Sequence, residues 1–267
     1  MQATPIKNIS VLGCGWFGFA FAKKLVALDY AVKGSTTTSE KLMLLAEENI
    51  QPYLVNFTAD KIQADLDFFD ADVLFICIPP KRNSVELDDY PNKIQSIINA
   101  AEGKSRNIVL ISSTSVYGDE NKTVNENSET KPDTASGKII LQTEGIIQNQ
   151  LQQNFTILRF AGLIGPERNP GRFFAGKTAV PNGLAPVNLI HQTDAVGIAL
   201  AIIQQQAFGR IYNACAPQHP DRKTFYTKAA ADSDLENPEF LEEKTSWKVI
   251  ESLNVPKFLE YEFEVTI

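Results

Sequence analysis

The stretch Val11-Leu12-Gly13-Cys14-Gly15-Trp16-Phe17-Gly18 decides how the rest of this chain is read. Before it, Ile9 to Leu12 forms a short apolar run with the character of a buried strand. After it, Phe17, Ala20, Phe21, Lys24, Leu25 and Leu28 recur at the i, i+3, i+4 spacing of a helix. Strand, glycine turn and helix are the context in which G-x-G-x-x-G carries meaning. Gly13 permits the tight turn, Gly15 lets a pyrophosphate approach the backbone, and Gly18 lets the helix pack close to the strand. The helix start then offers free N–H groups and the positive end of its dipole to phosphates. Gly13, Gly15, Trp16, Phe17 and Gly18 are therefore candidate dinucleotide-binding residues. The alternative is a glycine-rich turn with no ligand.

Outward from that turn the chain reads as a βα repeat. Tyr30 to Gly34 is a second strand, Ser39 can cap a helix over Glu40 to Asn49, and Tyr53 to Phe57 is a third strand. Asp72 opens an apolar run, Val73 to Ile78, typical of a strand buried on both faces, and Pro79-Pro80 stops it. A helix over Tyr90 to Ala101 and a strand over Ile108 to Ser112 follow. Asp119 to Asp133 is a long polar loop, and Phe155 to Phe160 is the sixth strand. Strands alternating with helices imply an α/β fold, a doubly wound parallel Rossmann sheet in the order 3-2-1-4-5-6 with room for a seventh strand. Ligand then lies along the carboxyl ends of the strands, which brings Ile78, Pro79, Pro80 and Ser112 into the cofactor set. Residues 1–162 form the dinucleotide-binding core and 163–267 a small substrate lobe, with about 187–214 returning to the core.

The end of strand two bears on which nicotinamide cofactor is used. An NAD enzyme carries an acid there to bind the ribose 2′-hydroxyl. Here the place holds Ser35, Thr36 and Thr37, while Asp29 and Glu40 fall in a turn and on the following helix. Hydroxyls and Lys41 suit a 2′-phosphate, so NADP is favoured over NAD; a plain polar turn is the other reading.

Composition bounds the function class. The 267 residues are 43% hydrophobic, an ordinary globular value, and no apolar run reaches the ~20 residues of a membrane helix. A net charge of −7 without a basic cluster argues against nucleic acid as the main partner. Three dispersed cysteines (Cys14, Cys77, Cys215) and two histidines (His191, His219) argue against a disulfide framework or a metal site. Met1 to Lys7 runs almost directly into the first strand and fits no secretory signal, so a cytoplasmic monomer or homodimer with a small-molecule substrate is expected.

Further along, Ser112-Ser113-Thr114-Ser115-Val116-Tyr117-Gly118 resembles the S-S-x-x-V-Y-G segment of the extended short-chain dehydrogenase/reductase superfamily, the NAD-dependent epimerase/dehydratase group. Leu158-Arg159 through Gly165-Pro166 is similar to its L-R-x-x-x-x-y-G-P segment, and Ile190-His191-Gln192-Thr193-Asp194-Ala195 to its I-H-x-x-D-x-A segment. With the glycine turn, four motifs stand in the family's order between Ile9 and Ala216. The resemblance implies a serine on strand five that orients the substrate oxygen, and a Y-x-x-x-K helix whose tyrosine is the acid/base and whose lysine binds ribose. Carried over, the serine is Ser113, the lysine Lys138, and the tyrosine position Thr134. None of the seven tyrosines has a lysine four residues later, and an aliphatic hydroxyl does not replace a phenol. The pattern resembles atypical members of the superfamily that lack the tyrosine.

In the second half, Gly171 to Thr178 literally matches G-x-x-x-x-G-K-[ST]. A phosphate loop must sit between strand and helix, and Pro170, Pro181 and Pro186 deny it a helix. In the family this region is on the substrate side, where Arg172 or Lys177 can meet an anion. His191 reads as structural, Asp194 as the start or cap of a helix through Gln204, and Ile211 to Ala214 as a strand. Trp247 and Phe258 read as core, and Tyr261 to Ile267 as a last strand. The function expected is an NAD(P)-dependent oxidoreductase or epimerase/dehydratase-like enzyme on a small substrate, sugar nucleotides among them. The alternative is a catalytically silent NAD(P)-binding sensor or regulator.

Overall fold

A computed structural model describes residues 5–57, 62–80, 87–151 and 155–267. Residues 1–4, part of the segment read above as lacking a secretory signal, lie outside the described residues. Seven parallel strands form the main sheet: β1 Asn8–Leu12, β2 Ala31–Thr36, β3 Gln51–Leu54, β4 Ala71–Ile76, β5 Ser105–Ser113, β6 Phe155–Phe160 and β7 Ile211–Ala214. Their order is 7-6-5-4-1-2-3, so the expected 3-2-1-4-5-6 arrangement is present and β7 adds a seventh strand beside β6.

Alternation along the central strands builds the two halves of the core. On β4, Val73 and Phe75 face one side of the sheet and Leu74 and Ile76 the other, all fully buried. The first side is covered by helices α1 Trp16–Val26, α2 Glu40–Glu47 and α5 Gln192–Gln204 through Phe21, Leu25, Leu45, Ile198 and Ile202. The second side is covered by α3 Tyr90–Ala101 and α4 Ala135–Leu151 through Ile94, Ile97, Ile98 and Ile147. Phe21 meets Phe75 edge-on at 4.6 Å between ring centroids. Emptying a site of this kind to alanine costs about 3–5 kcal/mol.

Register brings the carboxyl ends of the strands to one edge. Leu12 lies opposite Ile76, Ile76 opposite Leu110, Ser113 opposite Phe160, and Phe160 opposite Ala214. Beyond β6 the chain makes a smaller cluster in which Ile164, Val187, Leu189 and Tyr226 pack with Phe174, Phe225 and Phe240. Tyr226 belongs to α6 Arg222–Ala231, and α7 Asn254–Leu259 follows near the end of the chain. Two short parallel pairs, 162–164 with 189–191 and 122–124 with 248–250, tie this part to the core.

Several local expectations change. The third strand ends at Leu54; Asn56 and Phe57 instead pair antiparallel with 62–63. Tyr261 to Ile267 joins no strand. Its tyrosine hydroxyl and the amides of Glu264 and Val265 are all held by the buried carboxylate of Asp194, at 3.0, 2.7 and 3.3 Å. Asp194 is therefore not the cap of α5. That task falls to His191, whose Nδ1 accepts from the Thr193 amide at 3.2 Å, a structural role as expected for this histidine. Trp247 is half-buried under Lys244 rather than set in a core cluster, whereas Phe258 packs against the main core.

The phosphate-loop look-alike is a lobe loop. A single 3-10 turn, Pro170–Arg172, opens it, and a side chain at Gly171 would sit 2.3 Å from the Ala229 carbonyl. Among the described residues no helix is long and apolar enough to cross a membrane, and no three metal-ligating side chains converge.

Candidate functional site

A cleft of about 830 Å³ opens along the carboxyl edge of the sheet, between the glycine turn, the ends of β4, β5 and β6, helix α4 and the lobe. The turn is fixed by the end of β2: the Gly13 amide donates to Ser35 Oγ and the Cys14 amide to the Ser35 carbonyl, both at 2.8 Å. Gly13 has φ +98°, a conformation that side chains resist. The first helical hydrogen bond of α1 runs from Phe19 N to Gly15 O, and no side chain caps the helix. Among the described residues the amides of Trp16, Phe17 and Gly18 thus head the dipole without a protein acceptor, on residues that line the cleft.

The strand-four end lines the same space with Cys77, Ile78, Pro79 and Pro80. The hydroxyl of Tyr90 donates to the Ile78 carbonyl at 2.8 Å and holds that backbone in place. Burial, reinforced by neighbouring Cys77, pushes the Tyr90 phenol up, and burial with Cys14 nearby pushes the Cys77 thiol well above its ordinary range. Both groups keep their protons at neutral pH.

At the strand-five end, Ser112 and Ser113 both line the cleft. Ser113 Oγ accepts from the Ser115 amide at 3.2 Å. Ser112 Oγ donates at 2.6 Å to Glu144 Oε1, and Glu144 in turn receives Arg159 Nε at 2.9 Å and Nη2 at 2.6 Å. Arg159 Nη1 also donates to the Tyr117 hydroxyl at 2.6 Å. Burial works against the charge on Arg159, but hydrogen bonding and attraction to Glu144 outweigh it and raise its pKa. Burial likewise raises the Tyr117 phenol.

Of the residues singled out from sequence, Gly15, Trp16, Phe17, Gly18, Ile78, Pro79, Pro80, Ser112 and Ser113 come together around the cleft. Gly13 and Ser35 stand behind it as the frame of the turn. Thr36 is buried, its Oγ1 accepting from the Thr38 amide at 3.2 Å, and Thr37 is exposed beyond it. Thr134 and Lys138 are not brought to the cleft. Thr134 Oγ1 accepts from the Gly137 amide at 3.1 Å and caps α4, and Lys138 is exposed. The face of α4 that does reach the cleft carries Ile140 and Thr143. Lys138 is two positions before Ile140, about 200° around the helix. Sequence reasoning missed Tyr90, Ile140, Thr143 and Arg168, a guanidinium at the cleft mouth. Only Arg159 carried a usable signal for its partner, since a buried guanidinium requires an acid.

Residues 8–115 match the family described as NADP oxidoreductase, coenzyme F420-dependent. Protein YeeZ of Escherichia coli K12 is 37% identical over 265 residues, 97% of this chain and 96% of its own. The chain belongs to the YeeZ family. Among solved structures, UDP-glucuronic acid 4-epimerase from Bacillus cereus in complex with NAD is similar at a TM-score of 0.78 and 18% identity, covering 97% of this chain and 94% of that chain. A short-chain dehydrogenase/reductase superfamily protein from Agrobacterium tumefaciens with bound NAD gives 0.78 at 16% identity, covering 97% and 93%. This YeeZ-family chain thus shares the Rossmann fold of those two proteins.

Proposed function

We propose that this YeeZ-family protein binds NADP(H) in the cleft and uses it as an oxidoreductase or epimerase-like enzyme on a small substrate, with sugar nucleotides as the first class to try. The observation that carries the reading is the uncapped start of α1, framed by Gly13 and Gly18 and opening onto a cleft of dinucleotide size. The diphosphate belongs at Gly15 to Gly18, the adenosine half over Ser35 to Thr37, and the nicotinamide half over Ile78 to Pro80 and Ser112. Absence of a carboxylate between Ser35 and Ser39 and an exposed Lys41 favour the 2′-phosphate, hence NADP over NAD. Bound there, the cofactor supplies hydride chemistry. Ser113, whose oxygen already accepts from Ser115, keeps its proton to orient a substrate oxygen. Residues 1–162 hold the cofactor and 163–267 shape the substrate end, with 187–214 completing the core. The protein acts in the cytoplasm.

A second reading, binding without turnover, is favoured by one observation. Among the described residues lining the cleft there is no aspartate, glutamate, histidine or lysine, and α4 presents Ile140 where an acid/base pair would be useful. In this reading the missing tyrosine leaves a cofactor sensor. Calorimetric titration with NADP⁺, NAD⁺ and ATP, followed by NADPH oxidation across a nucleotide-sugar panel, separates the two. Tight NADP⁺ binding with turnover supports the enzyme, binding with none supports the sensor, and no dinucleotide binding overturns both.

A further inference from the structure

We infer that Ser112 is an obligate hydrogen-bond acceptor that reads the carboxamide N–H of the bound nicotinamide, and that Glu144 is the positioning residue that sets its polarity. The inference rests on the dinucleotide reading above. It begins from the buried pair beneath the cleft floor. Glu144 and Arg159 are 1% and 3% exposed and joined by two parallel N–H···O bonds, so Glu144 is a carboxylate held by its counter-charge and can only accept. Ser112 Oγ, 2.6 Å from Glu144 Oε1, must therefore give its single proton to that oxygen. What remains on Ser112 is lone pairs, on a residue that lines the cleft. Ser113 differs, because its oxygen accepts from the Ser115 amide and gives no proton to Glu144. The two adjacent hydroxyls thus offer different chemistry: Ser112 can only accept, whereas Ser113 can also donate.

Place in the sheet says which donor. Ser112 is the penultimate residue of β5, two strands across from the glycine turn after β1, about 10 Å at the usual strand spacing. With the diphosphate on the turn and the adenosine toward β2, the half of the dinucleotide that crosses β4 to β5 is the nicotinamide. Its carboxamide carries the N–H donor that a Ser112 lone pair accepts.

The test uses the full chain and three probes: NADP⁺, its 3-acetylpyridine analogue, in which a methyl group replaces the amide nitrogen, and 2′-phospho-ADP-ribose, which has no nicotinamide ring. In the parent protein NADP⁺ should bind about fivefold to tenfold more tightly than the acetylpyridine analogue. Ser112→Ala should erase that ratio and leave 2′-phospho-ADP-ribose affinity unchanged. Glu144→Gln, which can donate to Ser112 and free its proton, should also reduce the ratio while the serine remains; if that variant does not fold, Ser112→Ala decides alone. A ratio unchanged by Ser112→Ala, or no preference in the parent, overturns the assignment of Ser112. Failure of NADP⁺, NAD⁺ and 2′-phospho-ADP-ribose alike to bind the parent overturns the dinucleotide reading itself, and the inference with it.

Discussion

The guanidinium of Arg168 lies 4.4 Å from the centre of the Trp16 ring, directly at the first helical residue of α1. Trp16 is itself fixed, its indole N–H donating to the Pro166 carbonyl at 2.6 Å and its carbonyl accepting from Gln192 at 2.9 Å. A cation is therefore held over the uncapped helix start by a turn of the lobe. Arg168→Ala should weaken NADP⁺ binding about threefold to tenfold and flatten its salt dependence. Arg168→Lys should recover only part, because an ammonium lacks the flat face that stacks on the indole. Titrations at two salt concentrations check this; equal affinities for parent and alanine variant would remove Arg168 from the site.

The three glycines of the turn should behave differently on substitution. A side chain at Gly18 would sit 2.2 Å from the Gly13 carbonyl oxygen, and one at Gly13 would meet Ile78 at 2.7 Å with φ already positive. At Gly15 it would meet nothing within 4 Å. Gly15→Val is expected to keep the thermal midpoint within a few degrees and abolish dinucleotide binding. Gly18→Ala should lower stability itself, by about 1–3 kcal/mol. Melting curves with and without NADP⁺ distinguish them.

Arg159→Met should destabilise the fold by about 3–5 kcal/mol, since it strands the Glu144 carboxylate in a dry interior. The double variant Glu144→Met/Arg159→Met should recover most of that loss. Urea midpoints give the answer, and simple additivity of the two single changes would contradict the coupling drawn here.

Alkaline pH should unfold the protein before it exposes a reactive thiol. Burial pushes Cys14 and Cys215 up to about 12, from an ordinary value of 9.0. Unfolded thiols release protons above pH 9 while the folded ones retain theirs, so the folded state binds more protons and stability falls from pH 9 to 12. Each thiol contributes a slope of roughly 1.4 kcal/mol per pH unit in that window. Urea midpoints at pH 8 and pH 10 should show the fall. Labelling with a disulfide reagent at pH 8 should follow global unfolding, and rapid labelling of the native protein would contradict the burial.

Much of the core was legible because its signals are local. The apolar runs at Ile9 to Leu12 and Val73 to Ile76 and the glycine spacing between strand and helix each report a backbone need that sequence alone can state. The lining of the cleft was legible where the sheet delivers it, at Gly15 to Gly18, Ile78 to Pro80 and Ser112-Ser113. The placing of Thr134 and Lys138 depends on where α4 begins, which sequence alone does not state: Thr134 accepts from the Gly137 amide at the helix start, and the helix phase turns Lys138 outward. The alternation of Tyr261, Phe263 and Val265 reads as a strand, yet an extended tail clamped on Asp194 has the same period. Arg168 sits in a turn with no periodicity to announce it.

The short pairing of Lys122–Val124 with Lys248–Ile250 sets a condition on how the chain is made. The flanking bonds, Asn121 to Trp247 in both directions at 2.9 and 3.0 Å, join positions 126 residues apart. At a synthesis rate of about 5–20 residues per second, the polar loop after β5 waits roughly 6–25 seconds for its partner strand to be made. The loop follows the cleft serines directly in the chain, so Ser112 and Ser113 are made well before the strand that pins the loop behind them.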